Sequence, residues 1–255
     1  KALEGEIKPI YEVDGKRVEE GKLGIFPDDI KSVGILKSEA ATDKYGAEGK
    51  YGAFFGGKND ADDSGSLKYV RVEYAGIELT PNNETNSITL GGVGSGTEME
   101  YCQVSFGGDD GFEWFGGSVS SKHLVTFAMW DDCFDVDYGF TGKVQFGVSV
   151  RYGSYADQSG SNTFETDNGP NDNLTTLITT GVFSNITGVG PRISNTQSIN
   201  GNYQHSLDLR RRTAVTIANS VFIGYPRGIR FNQQSVYDNY AAGTGKLLNN
   251  IMVAP

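Results

Sequence analysis

Acidic side chains recur at a fixed spacing in the middle of the chain, and carboxylates placed this way can share a cation, share a proton or work in pairs. An interval of 22 positions (131 minus 109) relates three pairs: Asp109 and Asp131, Asp110 and Asp132, Glu113 and Asp135. A further copy, Phe164–Gly169, supplies Glu165 and Asp167. Repeats about 20–50 residues apart are typical of solenoids, in which each coil buries its apolar face against the next.

Strands must hold these acids, because short segments of alternating polarity, separated by glycine turns, surround them. A short column of strands includes Phe112–Gly117, and a long column includes Leu67–Tyr74. In the long column Val70, Val72 and Tyr74 alternate with charged residues, so these three are predicted to face the core.

We therefore predict an all-β fold: a right-handed parallel β-helix with coils of about 22–30 residues and loop insertions. One such insertion is the outward loop Gln233–Gly245. Residues 1–65 are predicted to be an irregular N-terminal segment or cap packed on the solenoid, and residues 66–255 the β-helix.

Stacking of coils in register then determines which side chains meet. An inward aromatic ladder consists of Phe112, Phe134 and Phe164. An outward acidic file consists of Glu113, Asp135 and Glu165, continued by Thr89, Asp208 and Arg230. A second outward file, two residues on, consists of Phe115, Asp137, Asp167, Arg210 and Asn232. Neighbouring carboxylates in a file would be about 5 Å apart at their roots.

Three interpretations of the acidic file stay open. In the first, its carboxylates are solvated and paired with arginines such as Arg210 and Arg230. In the second, Ca²⁺ bridges the file, because Ca²⁺ takes about six to eight oxygen ligands. The turn before each strand would add metal ligands: Asp109, Asp110, Asp131 and Asp132.

In the third interpretation the file acts on a glycan, because carboxyl pairs about 5–5.5 Å or about 6.5–9.5 Å apart serve glycosidases. The catalytic candidates are Glu113, Asp135 and Glu165, with Arg210 and Arg230 as basic residues for a lyase. Binding without catalysis would use a wider set, in which two aromatic rings form a platform for a sugar: Glu113, Asp135, Asp137, Glu165, Asp167, Trp114 and Tyr138. Inward parity equally allows Trp114 and Tyr138 to pack inside.

Composition limits the partners. The chain has 22 Lys and Arg against 32 Asp and Glu, a net charge of −10. This balance disfavours nucleic acid, since phosphate binding needs a basic surface. No apolar run approaches the roughly 18 residues of a membrane span, and the absence of a signal-peptide pattern indicates a mature form or a fragment. Cys102 and Cys133 are predicted to be free thiols, with Cys133 opposite in direction to the inward Phe134; a disulfide is the alternative.

Long motifs resemble a family of secreted or outer-membrane proteins found in Bacteroidota and some marine Proteobacteria, many of them hypothetical lipoproteins. The motifs include SGSLKYVRVEYAG (Ser64–Gly76), DDCFDVDYGFTGKVQF (Asp131–Phe146) and VTIANSVFIGYPRGIRF (Val215–Phe231). The resemblance covers about Ser64 to Pro255 and implies a right-handed β-helix similar to the pectate-lyase-like fold, exported across the inner membrane. Relatives carry further coils before this region, so an open coil end and self-association through it are expected.

Together these observations favour a non-enzymatic extracellular protein, secreted or at the cell surface or outer membrane. It would be a scaffold, adhesin-like or glycan-binding, with a glycan or a surface protein as partner and either no cofactor or Ca²⁺. The alternatives are a polysaccharide lyase or glycoside hydrolase that uses the acidic file, and a structural protein that assembles into filaments.

Overall fold

The computed structural model describes residues 59–78, 84–172 and 177–254, together with the backbone of β1 (Tyr11–Val13) and β2 (Lys16–Val18). The chain divides into two compact units, residues 1–55 with 78–83 and residues 56–77 with 84–255. In the first unit β1 and β2 pair antiparallel. Most of the segment 1–65 lies outside the described residues, and its role as a cap stays a prediction.

The second unit is built of short strands and one described helix. In chain order the strands are β3 (Ser66–Lys68), β4 (Arg71–Glu73), β5 (Ile88–Gly91), β6 (Glu98–Glu100), β7 (Gln103–Ser105), β8 (Phe112–Phe115), β9 (Ser120–Phe127), β10 (Phe134–Asp137), β11 (Lys143–Val150), β12 (Phe164–Thr166), β13 (Val182–Val189), β14 (His205–Leu209), β15 (Thr216–Ala218), β16 (Val221–Ile223), β17 (Arg227–Phe231), β18 (Lys246–Leu248) and β19 (Ile251–Val253). The helix α1 spans Gln234–Ala241, between β17 and β18.

Two parallel sheets run through this unit, as the sequence repeat predicts. The short column forms a six-stranded sheet in the order β17-β14-β12-β10-β8-β5, and the long column forms an eleven-stranded sheet. Neighbours in each sheet come from successive coils, so the chain is an all-β parallel β-helix. The predicted fold class is confirmed.

The aromatic ladder inside the β-helix is also confirmed. Phe134 is in register with Phe112 on one side and with Phe164 on the other. Their ring centroids are 6.0 Å and 5.2 Å apart, and all three side chains are fully buried. This stack fixes the register of the six-stranded sheet, because a slip by one residue would turn all three rings toward solvent.

The long column is not a straight strand but bends at one residue in each coil. The bending residues have φ between +52° and +64°, a left-handed conformation, and they are Tyr69, Tyr101, His123, Phe146, Asn185, Asn219 and Asn249. Tyr74 and Phe106 also have positive φ, and their side chains are 74 % and 37 % exposed. The predicted inward position of Tyr74 is therefore wrong, because a left-handed residue interrupts the alternation of side chains along a strand.

The helix α1 replaces part of the loop predicted at Gln233–Gly245. Val236 of α1 is fully buried against the main apolar core, and the Tyr240 hydroxyl donates to the Val215 carbonyl at 2.8 Å. The side chain of Asn239 donates to the Arg212 carbonyl at 2.7 Å. This segment therefore packs on the solenoid instead of projecting from it.

Both cysteines are free and buried. Cys133 is fully buried in the same core as Phe134, so the prediction that it points the opposite way is wrong. Cys133 precedes β10, where the chain is still in the turn and strand alternation does not apply. The neighbouring coil approaches this turn closely, because a Cβ on Gly111 would lie 2.6 Å from the Cys133 carbonyl oxygen.

Candidate acidic site on the six-stranded sheet

Carboxylates from two successive coils converge where β8 and β10 begin. Asp109, Asp110 and Asp131 form one group whose oxygens lie within 4.8 Å of one another, and Asp110, Glu113 and Asp135 form a second group by the same measure. We call these five residues the acidic site. The parallel register of β8 and β10 brings Glu113 beside Asp135, and the turns before the two strands supply the aspartates.

The acidic site is more buried than an outward file should be. Asp110 and Glu113 are each only 7 % exposed. The side-chain amide of Asn86 donates to Glu113, and the Asp110 carboxylate accepts a hydrogen bond from the Asp132 N–H at 2.8 Å. The prediction of a solvated acidic file is therefore wrong for this end of the sheet, although the residues themselves do stack as predicted.

Burial of like charges raises the pKa of the carboxyl groups. Desolvation, reinforced by Asp109, raises the pKa of Asp131 from 3.8 to about 7. Desolvation, reinforced by neighbouring carboxylates, also raises the pKa of Asp110 and of Asp135 well above 3.8. Each shift has the same sign, because a low-polarity environment and nearby negative charge both disfavour the ionised form.

Two oxygens of the acidic site have no hydrogen-bond partner. They are Oδ1 of Asp131 and Oδ1 of Asp135, and both atoms are buried. A buried acceptor without a donor is costly, and a cation satisfies it directly. The Asp131 carboxylate belongs to the first group and the Asp135 carboxylate to the second, and the two groups share Asp110. Within each group one oxygen from every residue lies within 4.8 Å of the others, which is compatible with shared coordination, because two oxygens about 2.3–2.6 Å from one Ca²⁺ are at most about 5 Å apart.

Asp132 does not join this site, contrary to the prediction that it is a metal ligand. Its side chain is 2 % exposed, accepts from the Asn162 N–H, and lies 3.8 Å from the guanidinium of Arg151. Arg151 is itself 5 % exposed and donates to the Met129 carbonyl at 3.1 Å and to the Asp131 carbonyl. Arg151 thus anchors the backbone of the turn that presents Asp131.

Arginines neutralise the other end of the sheet. Arg210 forms ion pairs with Glu165 and with Asp167, and Arg230 pairs with Asp208. The contact between Arg211 and Asp167 is 2.6 Å. For Glu165, Asp167 and Asp208 the structure therefore agrees with the first interpretation, in which carboxylates are paired with arginines. Burial still raises the pKa of Glu165 to about 8, although Arg210 acts against this shift.

The ion pairs of Arg210 and Arg230 argue against a role of either arginine as a catalytic base. Burial lowers the pKa of Arg210. The hydrogen bond to Asp167 and the charges of the neighbouring carboxylates together outweigh burial, so the pKa of Arg210 is raised above its ordinary value. The pKa of Arg230 is raised as well, chiefly by its hydrogen bond to Asp208. Each guanidinium is protonated and ion-paired, so it has no lone pair with which to take a proton, which argues against the lyase role predicted for these residues.

Only one of the two predicted platform residues is accessible. Trp114 is fully buried between Phe140 and the inner aromatic ladder, so it is unavailable to a ligand. Tyr138 is 48 % exposed, and its ring centroid lies 5.9 Å from that of Phe115. Between the acidic site and Tyr138 lies Asp137, which accepts from the Tyr138 N–H at 2.6 Å and whose pKa burial raises to about 7.

Comparison with known proteins places the chain in a family. No curated protein and no solved structure gave a significant match. The model of the family described as the pectate-lyase-like β-helix domain matches residues 36–254. Since this match spans most of the sequence, the chain belongs to the pectate-lyase-like β-helix family.

Proposed function

We propose that the protein is a non-enzymatic, extracellular glycan-binding protein whose acidic site holds a divalent cation, Ca²⁺ by the chemistry of its oxygen ligands. The observation that carries the proposal is a buried oxygen without a donor in each of the two carboxylate groups that share Asp110: Oδ1 of Asp131 in the first and Oδ1 of Asp135 in the second. A bound cation would neutralise the clustered carboxylates and offer open coordination positions to oxygens of a ligand.

The residues around the acidic site support a glycan as that ligand. Tyr138 follows Asp135 by three residues, which is about 10 Å along an extended chain, and its aromatic ring is exposed. Asp137 lies between them and can accept hydrogen bonds from hydroxyl groups. A sugar chain along this face would meet a cation, a carboxylate and a ring in succession.

The electrostatics support binding in preference to hydrolysis. A retaining or inverting pair needs one ionised carboxylate and one protonated carboxyl group. Burial raises the pKa of both Asp135 and Glu165, so this pair lacks a carboxylate that is readily ionised, and Glu165 is already bound to Arg210.

In the part of the chain that the structure describes, no helix is long and apolar enough to cross a membrane. Exposure at the cell surface or outer membrane is part of the proposal.

The test is a glycan array probed with the full chain in Ca²⁺ and again in chelator, together with a reducing-sugar assay on every glycan that binds. We expect binding that chelator abolishes, and no release of reducing sugar. Asp135→Asn should lose binding, whereas Asp238→Asn, which removes an exposed carboxylate on α1, should keep it. Binding that is indifferent to chelator, or release of sugar by the unmodified chain, would contradict the proposal.

A further inference from the structure

The left-handed bending residues of the long column form a corner of the solenoid. Beyond this corner, the outer surface of the eleven-stranded sheet carries two largely apolar rows. The first row is Val125, Val148, Thr187, Val221 and Ile251, which the parallel register aligns one above the other. The second row, two residues further along each strand, is Phe127, Val150, Val189, Ile223 and Val253. We call these two rows the lateral face.

The lateral face is accessible although all of its side chains except that of Thr187 are apolar. Val148, Ile223, Ile251 and Val253 are between 38 % and 59 % exposed. The residues between the rows, such as Thr126 and Phe222, are fully buried, so the rows themselves point outward. Neither row contains a charged side chain, in a protein with a net charge of −10. Contiguous apolar surface of this kind marks an interaction site.

The corner beside the lateral face does not suit a sugar. The rings of Tyr101 and His123 stack at 4.4 Å with an interplanar angle of 4°, and His123 and Phe146 stack at 5.0 Å. These separations leave no space for a sugar between the rings. The shallow groove of about 520 Å³ along this corner is lined by the same rings and by Val125 and Val148. Gln103, Asn185 and Thr187 also line this groove, and the mixture of rings, valines and amides matches a protein surface.

We propose that the lateral face binds the lateral face of a second copy of this chain, forming a two-fold symmetric dimer. Side chains in each row are separated by the spacing of parallel strands, about 4.8 Å. A partner must have the same period for its side chains to remain in phase with the rows over several coils, and an identical copy has that period. Because the rows carry no charge, they contain nothing that would repel an identical face.

The size of the face agrees with this partner. Five strands, β9, β11, β13, β16 and β19, contribute to the rows, which gives about 19 Å along the solenoid axis, and the corner plus two rows give about 17 Å across, or roughly 330 Å². A standard interface buries about 800 Å² per partner, of which about 56–58 % is apolar, or roughly 450 Å². The lateral face therefore supplies most of the apolar area that one side of a stable dimer needs, and the remaining area would come from the residues around it.

The experiment measures the mass of the full chain in solution by sedimentation velocity and light scattering, from about 1 to about 100 µM, the range in which a micromolar dimer dissociates. We expect a reversible dimer. Val148→Lys and Ile251→Lys place an ammonium at the second and at the last position of the first row, and each should weaken dimerisation at least about tenfold, because the buried charge would have no partner. Leu177→Lys is the matched control, since Leu177 is 76 % exposed but lies outside the lateral face.

Thermal unfolding of each variant shows whether it is folded, and both face positions are exposed enough to accept lysine without loss of the core. A wild-type chain that stays monomeric over the whole range would overturn the proposal. So would a dimer that both face variants leave intact, because the interface would then lie elsewhere. Open-ended filaments in place of a dimer would also overturn it and would indicate stacking through the coil ends.

Discussion

Calcium should raise the thermal stability of this protein at pH 8 and have little effect at pH 5. The reason lies in the acidic site, where Asp131 has a pKa of about 7 in the folded chain against an ordinary value of 3.8. The folded state thus binds this proton more tightly than the unfolded state does. The stability it contributes is fully present below about pH 4 and is lost as the pH rises through about 7.

The magnitude follows from the size of that difference. At about 1.4 kcal/mol per pKa unit, the change from 3.8 to about 7 corresponds to roughly 4 kcal/mol at this one carboxyl group. A cation present at about one hundred times its Kd returns about 2.7 kcal/mol. For a chain of this size one kcal/mol shifts Tm by about 2–4 °C, so the expected rise is roughly 5–10 °C. At pH 5 protons occupy the carboxylates and the rise should disappear.

Differential scanning calorimetry in CaCl₂ and in chelator, at both pH values, measures this effect. Asp135→Asn should raise Tm in chelator at pH 8, because it removes a half-buried charge whose Oδ1 is buried without a donor, and it should remove the response to Ca²⁺. The matched control is Asp208→Asn, which breaks the ion pair with Arg230. It should lower Tm and leave the Ca²⁺ response unchanged. Equal Tm values with and without Ca²⁺ at pH 8 would refute the reasoning.

Three further predictions concern the rest of the fold. Phe134→Ala should cost roughly 3–5 kcal/mol in urea unfolding because it opens a cavity in the inner ladder, whereas Phe146→Ala, at a ring 44 % exposed, should cost much less. Arg210→Gln should lower Tm more at pH 8 than at pH 5, since Glu165, whose pKa is about 8, is ionised to a larger extent at pH 8 and then loses its counter-ion; equal losses at both pH values would contradict this ion pair. Cys102 and Cys133 should react with a thiol reagent only after unfolding, and rapid labelling of the native chain would show that they are not buried.

The sequence predicts the coil and its register because the signal is repeated. Phe112, Phe134 and Phe164 each precede an acid, and this order sets both the inner ladder and the acidic file. It does not predict how deeply the file is buried. The burial of Glu113 depends on Asn86, which approaches from another coil and donates to its carboxylate.

Three features lack a repeated sequence signal and are harder to predict: the bend of the long column, the pair of Arg151 with Asp132, and the helix α1. The bend of the long column is formed by tyrosine, histidine or phenylalanine in the first four coils and by asparagine in the last three, all in a left-handed conformation. This conformation is rare for tyrosine and phenylalanine, and no glycine marks the bend. The pair of Arg151 with Asp132 joins residues 19 positions apart (151 minus 132) that meet only inside the fold. The helix α1 has no side-chain cap at Gln233 and no acid in its first turn, so the usual signals of a helix start are missing.

The central claim, a cation in the acidic site, is tested most directly by titrating CaCl₂ into the metal-free full chain at pH 8 in a calorimeter. We expect saturable binding of Ca²⁺ by the wild-type chain and no binding by Asp135→Asn, with Asp238→Asn unchanged. No saturable heat from the wild-type chain, or the same isotherm from Asp135→Asn, would contradict it.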